Sequence, residues 1–343
     1  MRVLVTGHQG YLGSIIVDRL VQGGHSVVGL DVGYFADCTL GPEPTDVPTR
    51  KLDLRDIDVV DLRDIRAEAV IHLAGLSNDP MGNLHPELTR RINHEGTMRL
   101  AGAAKAVGVE RFLFASSCSL YGASDGSLLD ESSPLAPVTA YARSKMSGEL
   151  GLADLADDDF SPTFLRKATA YGFSPRLRMD LAVNDLVGRA VLTGRVLLTS
   201  DGMAMRPFVH VEDIATAYLG LLSAPRDLVH ATTFNVGSTS ENHRIRDVAQ
   251  FVADAVPGSD VAYSTTGDAD ARDYRVSCDH MAAALPDLRF SWTVEKGVEQ
   301  LVRAYRDHGL DLDSLHGERF RRLDRIMALR QRERLDPSLR WID

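Results

Sequence analysis

Cysteine, lysine and long apolar runs are all scarce in this 343-residue chain. Three cysteines occur, Cys38, Cys118 and Cys278, too few and too scattered for a disulfide framework or a zinc site, and they read as reduced packing residues. Only five of the 38 basic residues are lysines. No run of about 18 apolar residues is present to span a membrane. The opening MRVLVTG passes straight into an apolar stretch, without the layout of a secretion signal, so a cytoplasmic protein is expected. The net charge is −10, and no basic stripe with interleaved aromatics appears. That argues against nucleic acid as the main partner, yet leaves room for a phosphorylated ligand held by a few placed arginines.

What is present is an ordinary globular composition, 44% hydrophobic and 25% charged. Strand-type runs at 2–7, 26–31, 69–75 and 111–117 alternate with amphipathic stretches at 11–24 and 86–109. Strands apolar on both faces, alternating with helices, predict an α/β fold with a Rossmann-type doubly wound parallel sheet. Residues 33–50, with three prolines, read as a surface excursion, and 122–139 as a loop before a helix at roughly 140–156. Residues 160–172 read as another core strand, whereas 173–205 turn polar and irregular. This divides the chain into a cofactor-binding domain (1–172 plus 208–238), a smaller substrate lobe (173–207 plus 239–315) and a charged C-terminal helix and tail (316–343). The arginine-rich tail reads as a solvated or subunit-contact element.

The first chemistry-bearing motif is Thr6-Gly7-His8-Gln9-Gly10-Tyr11-Leu12-Gly13, between the first strand and the first helix. Glycines at 7, 10 and 13 allow a tight turn, close backbone approach to a pyrophosphate, and close helix–sheet packing. Asp31 ends the second strand, where a carboxylate accepts both adenosine-ribose hydroxyls and repels a 2′-phosphate. With Val32-Gly33-Tyr34 following and no nearby base, NAD is expected rather than NADP. The second motif is Tyr141-Ala-Arg-Ser-Lys145, which puts a phenol and an ammonium on one helix face. A phenol titrates near pH ~10, and the neighbouring ammonium with a cationic nicotinamide favours its phenolate form.

With Ser116-Ser117-Cys118-Ser119-Leu120-Tyr121-Gly122 upstream, these motifs make the chain resemble the extended short-chain dehydrogenase/reductase superfamily, in its nucleotide-sugar epimerase and dehydratase branch. The resemblance runs from residue 1 to about 290. It implies that Ser117 bonds the substrate hydroxyl beside Tyr141 and Lys145, and that Ser116 lies at the cofactor. Asp53-Leu54 matches the family's pair at the adenine, and His72-Leu73-Ala74-Gly75 its fourth-strand motif flanking the cofactor. Asn93-x-x-Gly96-Thr97 matches the helix motif that braces the site. Lys167 falls near the nicotinamide ribose. On the substrate side the resemblance implicates Cys118, Ser119, Thr169 (where relatives carry Asn), Asn184 as a helix cap at the diphosphate, Arg206 as a phosphate ligand, and Arg272 as a second clamp. His72, His210 and Asp213 read as packing and bracing residues, and no metal is expected.

Relatives that eliminate water carry Thr-Asp-Glu where this chain has Ser117-Cys118-Ser119, and the decarboxylating relatives use a Glu near Ser119. The missing carboxyls point to reversible oxidation. The leading expectation is therefore an NAD-dependent epimerase of a nucleotide-diphosphate sugar, acting at C4 through a 4-keto intermediate. A reductase of a 4-keto sugar nucleotide is the runner-up, weakened by Asp31. A non-catalytic NAD-binding or scaffold relative is a third reading, opposed by the intact Ser117, Tyr141 and Lys145. The resemblance further implies a homodimer through helices 86–108 and 140–156.

Overall fold

Seven strands, six of them apolar runs, pair into one wholly parallel sheet in the computed structural model, which describes residues 1–77, 79–124, 126–263 and 273–342. The strands are β1 (Arg2–Thr6), β2 (Ser26–Asp31), β3 (Thr49–Lys51), β4 (Ala69–His72), β5 (Arg111–Ser117), β6 (Ser161–Lys167) and β7 (Thr232–Val236), in the order β3-β2-β1-β4-β5-β6-β7. The order reverses at β1 and β4, and in such sheets a ligand crevice opens beyond the strand ends at that point.

Both sheet faces are covered, which is why the strands carry no polar alternation. On one face Val3, Val5, Ile71, Leu113 and Leu165 meet Ile16 and Leu20 of the Tyr11–Gln22 helix and Ile214 and Tyr218 of the Val211–Ser223 helix. On the other, Leu4, Val70, Phe112, Phe114 and Phe164 meet Leu100 of the Gly96–Ala106 helix and Leu152 of the Ala140–Leu155 helix.

A second sheet abuts the first. After β6 the chain passes through Ala168 into Thr169–Tyr171, which pairs with Met205–His210, itself paired antiparallel to Asn242–Arg244. Lys167 therefore closes one sheet and Thr169 opens the other. Around this second sheet, the Ala182–Thr193, Ile245–Ala255 and Val294–Asp307 helices bury a core of their own, with Val183, Val187, Val248, Val298 and Tyr305 among its members.

Four sequence expectations change. Residues 173–205 are not irregular: Val183, Leu186, Val187 and Ala190 recur at helical spacing and form the buried face of the Ala182–Thr193 helix, followed by a strand at Arg195–Leu198. The stretch 33–50 is no mere excursion, since Tyr34, Cys38 and Leu40 are buried and its end begins β3. The 86–109 helix is interrupted by a π-helical segment at Arg90–Glu95, which contains Asn93. The C-terminal tail is not a solvated arm. Its helix, Arg322–Gln331, and the residues after it pack Ile326, Leu329, Leu335 and Leu339 against Tyr34, Leu76 and Ile92. No helix among the described residues is long and apolar enough to cross a membrane.

The Ala140–Leu155 helix, which carries Tyr141 and Lys145, rests on β5 through Gly148. A Cβ there would lie 2.7 Å from Cζ of Phe114, a ring sealed in the core. Gly148→Val is therefore expected to lift this helix from the sheet and cost about 1–3 kcal/mol of stability. A lowered thermal midpoint, with a larger loss of turnover than of cofactor content, is the result to look for; an unchanged midpoint would refute the close-contact argument.

Candidate active site

Two cavities meet above the strand ends. The first is a trough with about 970 Å³ of atom-free space, its open mouth included. It is lined by Gly7, Gly10, Tyr11, Leu12 and Gly13 from the loop after β1, Asp31 after β2, Asp53 and Leu54 after β3, and Leu73, Ala74 and Gly75 after β4. The loop must be glycine where it is. Gly7 has φ +71°, and a Cβ there would stand 2.8 Å from the Ala74 amide nitrogen; one at Gly13 would stand 2.3 Å from the Gly7 carbonyl oxygen. These backbones lie in contact and leave the start of the first helix bare to the trough, a setting for an anion.

Asp31 is held for a diol. Its carboxylate accepts from the Gln9 amide at 3.0 Å and the Gly33 amide at 2.8 Å, and each oxygen keeps a lone-pair direction for a ribose hydroxyl. Asp53 also lines the trough but is engaged by Arg55 at 2.5 Å, so its neighbour Leu54 offers the apolar contact there. Beneath the trough, His72 bonds Thr6 Oγ1 at 2.6 Å and Thr97 Oγ1 at 2.8 Å. Complete burial, reinforced by the charge of Lys145, pulls its pKa well down, so it is a neutral brace between β1, β4 and the Gly96–Ala106 helix.

The second cavity opens beside the trough, with about 1420 Å³ of atom-free space. Ser117 and Ser119, Tyr141 and Lys145, Lys167 and Thr169, and Arg206 all line it, with Tyr11, Leu12, Leu73 and Gly75 shared with the trough. Ser117 Oγ accepts from the Ser119 amide at 3.2 Å and from Ser119 Oγ at 2.9 Å, which leaves its own O–H as a donor. Lys145 is fully buried, its Nζ 4.8 Å from the Phe114 ring centroid and 5.9 Å from that of Tyr141. Burial pulls its pKa down to about 8, against a smaller upward pull from Glu149. Lys167 donates to the Ser116 carbonyl at 2.6 Å, and burial, with Lys145 beside it, holds it well below the usual lysine range. Arg206 donates to the Met205 carbonyl at 2.7 Å and lies over the Tyr274 ring at 5.5 Å.

Several residues singled out from sequence line neither cavity. Asn93 is consumed by Leu76, whose amide and carbonyl it pairs at 2.7 and 3.0 Å, and by Ser144 Oγ at 3.1 Å. It braces the loop after β4 from below. Ser116 Oγ bonds Glu149, which pairs with Arg166 at 2.7 Å in a buried network tying β5 and β6 to the Ala140–Leu155 helix. The Cys118 thiol faces the Arg166 carbonyl at 3.1 Å. Asn184 is not a cap: it sits inside its helix and holds the backbone of Gly172 and Arg178 at 3.0–3.3 Å. Gln9 contributes its backbone amide to Asp31. Arg272 lies outside the described residues.

Sequence reasoning missed three charged residues here. Arg178 lines both cavities, donates to Ser77 Oγ at 3.3 Å and pairs with Asp180 at 2.9 Å; Asp180 lines the second cavity. Arg322, from the C-terminal helix, lines the trough. The sequence 176–180 (Arg-Leu-Arg-Met-Asp) alternates polar and apolar residues, the only local sign that its charges share one side.

Comparison with known proteins agrees with this geometry. Residues 3–237 match the NAD dependent epimerase/dehydratase family. The chain is 32% identical over 269 residues to a UDP-glucose 4-epimerase of Mycolicibacterium smegmatis, covering 76% of this chain and 84% of the relative. Among solved structures it resembles MoeE5 in complex with UDP-glucuronic acid and NAD, with TM-score 0.76, 30% identity and coverage of 90% and 99% of the two chains. It also resembles the Thermus thermophilus UDP-glucose 4-epimerase in complex with NAD, with TM-score 0.74, 28% identity and coverage of 89% and 99%. The chain, with its glycine loop, the Asp31 carboxylate and the Ser117, Tyr141 and Lys145 wall, belongs to the NAD dependent epimerase/dehydratase family.

Proposed function

We propose that the protein inverts C4 of the sugar in a nucleotide-diphosphate sugar through a transient 4-ketone. The observation that carries this reading is the charge inventory of the second cavity. Ser117, Tyr141 and Lys145 share it with three further cations, Lys167, Arg178 and Arg206, and its described lining holds one carboxylate, Asp180, already paired to Arg178. Eliminating water from a sugar takes an acid and a base at neighbouring carbons. Reversible oxidation takes one group that accepts and returns a proton, and a phenol beside an ammonium is that group. The names of the Mycolicibacterium and Thermus relatives support the same activity.

NAD⁺ held along the trough by Gly7, Gly10, Gly13 and Asp31 would supply reversible hydride chemistry at this site. Ser117 donates its O–H to the substrate's 4-oxygen and fixes it at the Tyr141 phenol. Tyr141, held toward phenolate by the Lys145 ammonium, takes the hydroxyl proton and later returns it to the same oxygen. Between the two transfers the ketose must turn, so the sugar end is held loosely and the diphosphate firmly. Arg206, Lys167 and Arg178 suit the firm end. The larger volume of the second cavity suits the turning.

The reading extends to a cytoplasmic homodimer. The outward face of the Gly96–Ala106 and Ala140–Leu155 helix pair carries exposed Gly102, Leu150 and Ala153 beside half-buried Met98, a surface that a second copy would cover. Leu150→Arg is expected to yield a monomer by light scattering where the wild type is a dimer; a monomeric wild type, or a dimer that survives the substitution, removes this part of the reading.

Activity is tested with UDP-, dTDP-, GDP- and ADP-hexoses deuterated at C4. One of them should convert to its C4 epimer with the label retained and no added cofactor. Label lost to solvent, or net reduction that requires added NADPH, would sink the epimerase reading. Tyr141→Phe should lower kcat by about 10²–10⁴-fold while the protein keeps its NAD. Lys145→Met should move the acid limb of the kcat profile to higher pH, because removing a positive charge raises the phenol pKa; an acid limb that stays in place would deny Lys145 that role.

A further inference from the structure

Arg322 is the residue the proposed chemistry does not use. It opens the C-terminal helix, 85 residues past the end of the family match at 237, yet it lines the cofactor trough. Its side chain is 2% exposed. The guanidinium lies 4.1 Å from the Phe35 ring centroid, and Nη2 donates to the Arg176 carbonyl at 3.1 Å. Among the described residues, Nη1 is buried and has no hydrogen-bond partner. Arg176, whose carbonyl it meets, likewise buries Nε and Nη1 without partners among the described residues, where its one ion pair is a 3.8 Å contact with the exposed Glu43. Arg178, also buried, shares the trough lining with Arg322 and is paired to the half-buried Asp180.

A buried guanidinium without an anion is costly, and its N–H groups are acceptor-seeking. The position of Arg322 says which anion. Arg322 lines the trough together with Gly10, Tyr11, Leu12 and Gly13 at the start of the first helix and with Arg178, which also lines the second cavity. The anionic part of a dinucleotide laid along that trough is its pyrophosphate. We propose that Arg322 is a ligand to the cofactor pyrophosphate, which is thus held between the helix start beneath it and an arginine from the C-terminal segment above it; this rests on reading the trough as the dinucleotide site.

The tail is built to keep that arginine in place. Arg325 pairs with Asp37 at 2.7 Å and Trp341 Nε1 donates to the Val32 carbonyl at 2.6 Å. Tyr34 Oη bonds the Leu339 carbonyl, and Arg55, the partner of Asp53, donates to the Ser338 carbonyl at 2.6 Å. The segment that supplies the phosphate ligand is thereby pinned to the two loops that carry Asp31 and Asp53, so cofactor release requires this strap to loosen.

The test is calorimetric binding of NAD⁺, ADP-ribose and adenosine to full-length protein freed of cofactor, for the wild type, Arg322→Met and Arg322→Gln. Loss of a charge-assisted phosphate contact should weaken NAD⁺ and ADP-ribose by about 10- to 100-fold in both variants and leave adenosine within about twofold of wild type. Purified variants should also carry less NAD. Equal weakening of all three ligands would mean that Arg322 only supports the fold and would overturn the proposal, as would unchanged NAD⁺ affinity. Arg322→Gln keeps a donor for the Arg176 carbonyl and serves if the methionine variant does not fold. A wild type that binds adenosine and NAD⁺ with one affinity would also overturn it, while a wild type that binds none of the ligands would overturn the dinucleotide reading beneath it.

Discussion

An acidic protein has gathered its interior charge with the opposite sign. Lys145, Arg178, Arg206 and Arg322 are buried, and Lys167 half-buried, along two adjoining cavities, and among the described lining residues of the second cavity Asp180 is the one carboxylate. Burying cations in excess of anions is unfavourable unless an anion arrives from outside. The fold bears that cost because the rest of the chain is packed for it: an all-parallel sheet covered on both faces, a second sheet starting one residue after the first, and a tail clamped across the β2 and β3 loops. The second cavity, where cations outnumber the one described carboxylate, suits a diphosphate, whereas the trough sets Arg178 and Arg322 against Asp31 and Asp53.

The same electrostatics explains the contrast between the two lysines. Lys145 is drawn down to about 8 by burial, close enough to working pH to be charged or neutral according to what lies beside it. A neighbouring phenolate restores its proton, and the two groups then stabilise each other. Lys167 is pushed further down, partly by Lys145 itself, and spends a proton on the Ser116 carbonyl. Anionic ligands favour the charged forms of both.

What the sequence revealed of this followed one rule: the chemistry was legible wherever it is local. Gly7, Gly10 and Gly13, Asp31 at a strand end, and the Tyr141 to Lys145 spacing each follow from contacts within a turn of helix or a strand–loop junction. So does the parallel, doubly wound character of the sheet, which the alternation of strands and helices implies, although β3 at Thr49–Lys51 begins inside the stretch read as an excursion. Residues matched only by motif divide: Leu54, Leu73, Lys167 and Arg206 line the cavities, and others do not. Asn93, Ser116, Cys118 and Asn184 lie in the second layer, their polar atoms spent on backbone and on one another. A motif marks that a residue type is needed near a site without saying whether it faces the ligand or the scaffold.

Arg322 lay beyond either kind of inference. Its helix has mean character as polar as a surface element, and arginine-rich ends are usually solvated, so composition alone points outward. Only the meeting of Ile326, Leu329, Leu335 and Leu339 with Tyr34 and Ile92 turns the segment inward, and that contact joins residues some 290 positions apart in the chain. The stretch 33–50 reads as an excursion for the same reason: beyond each other, Tyr34 and Phe35 find aromatic and cationic partners in the tail, Trp341 and Arg322. Each half of the contact is unintelligible without the other. That interdependence is also its physical significance, since a strap whose apolar face is satisfied only when docked against Tyr34, Leu76 and Ile92, and whose leading guanidinium donates to the Arg176 carbonyl through Nη2 while Nη1 has no acceptor among the described residues, is stabilised by an anion bound beside it.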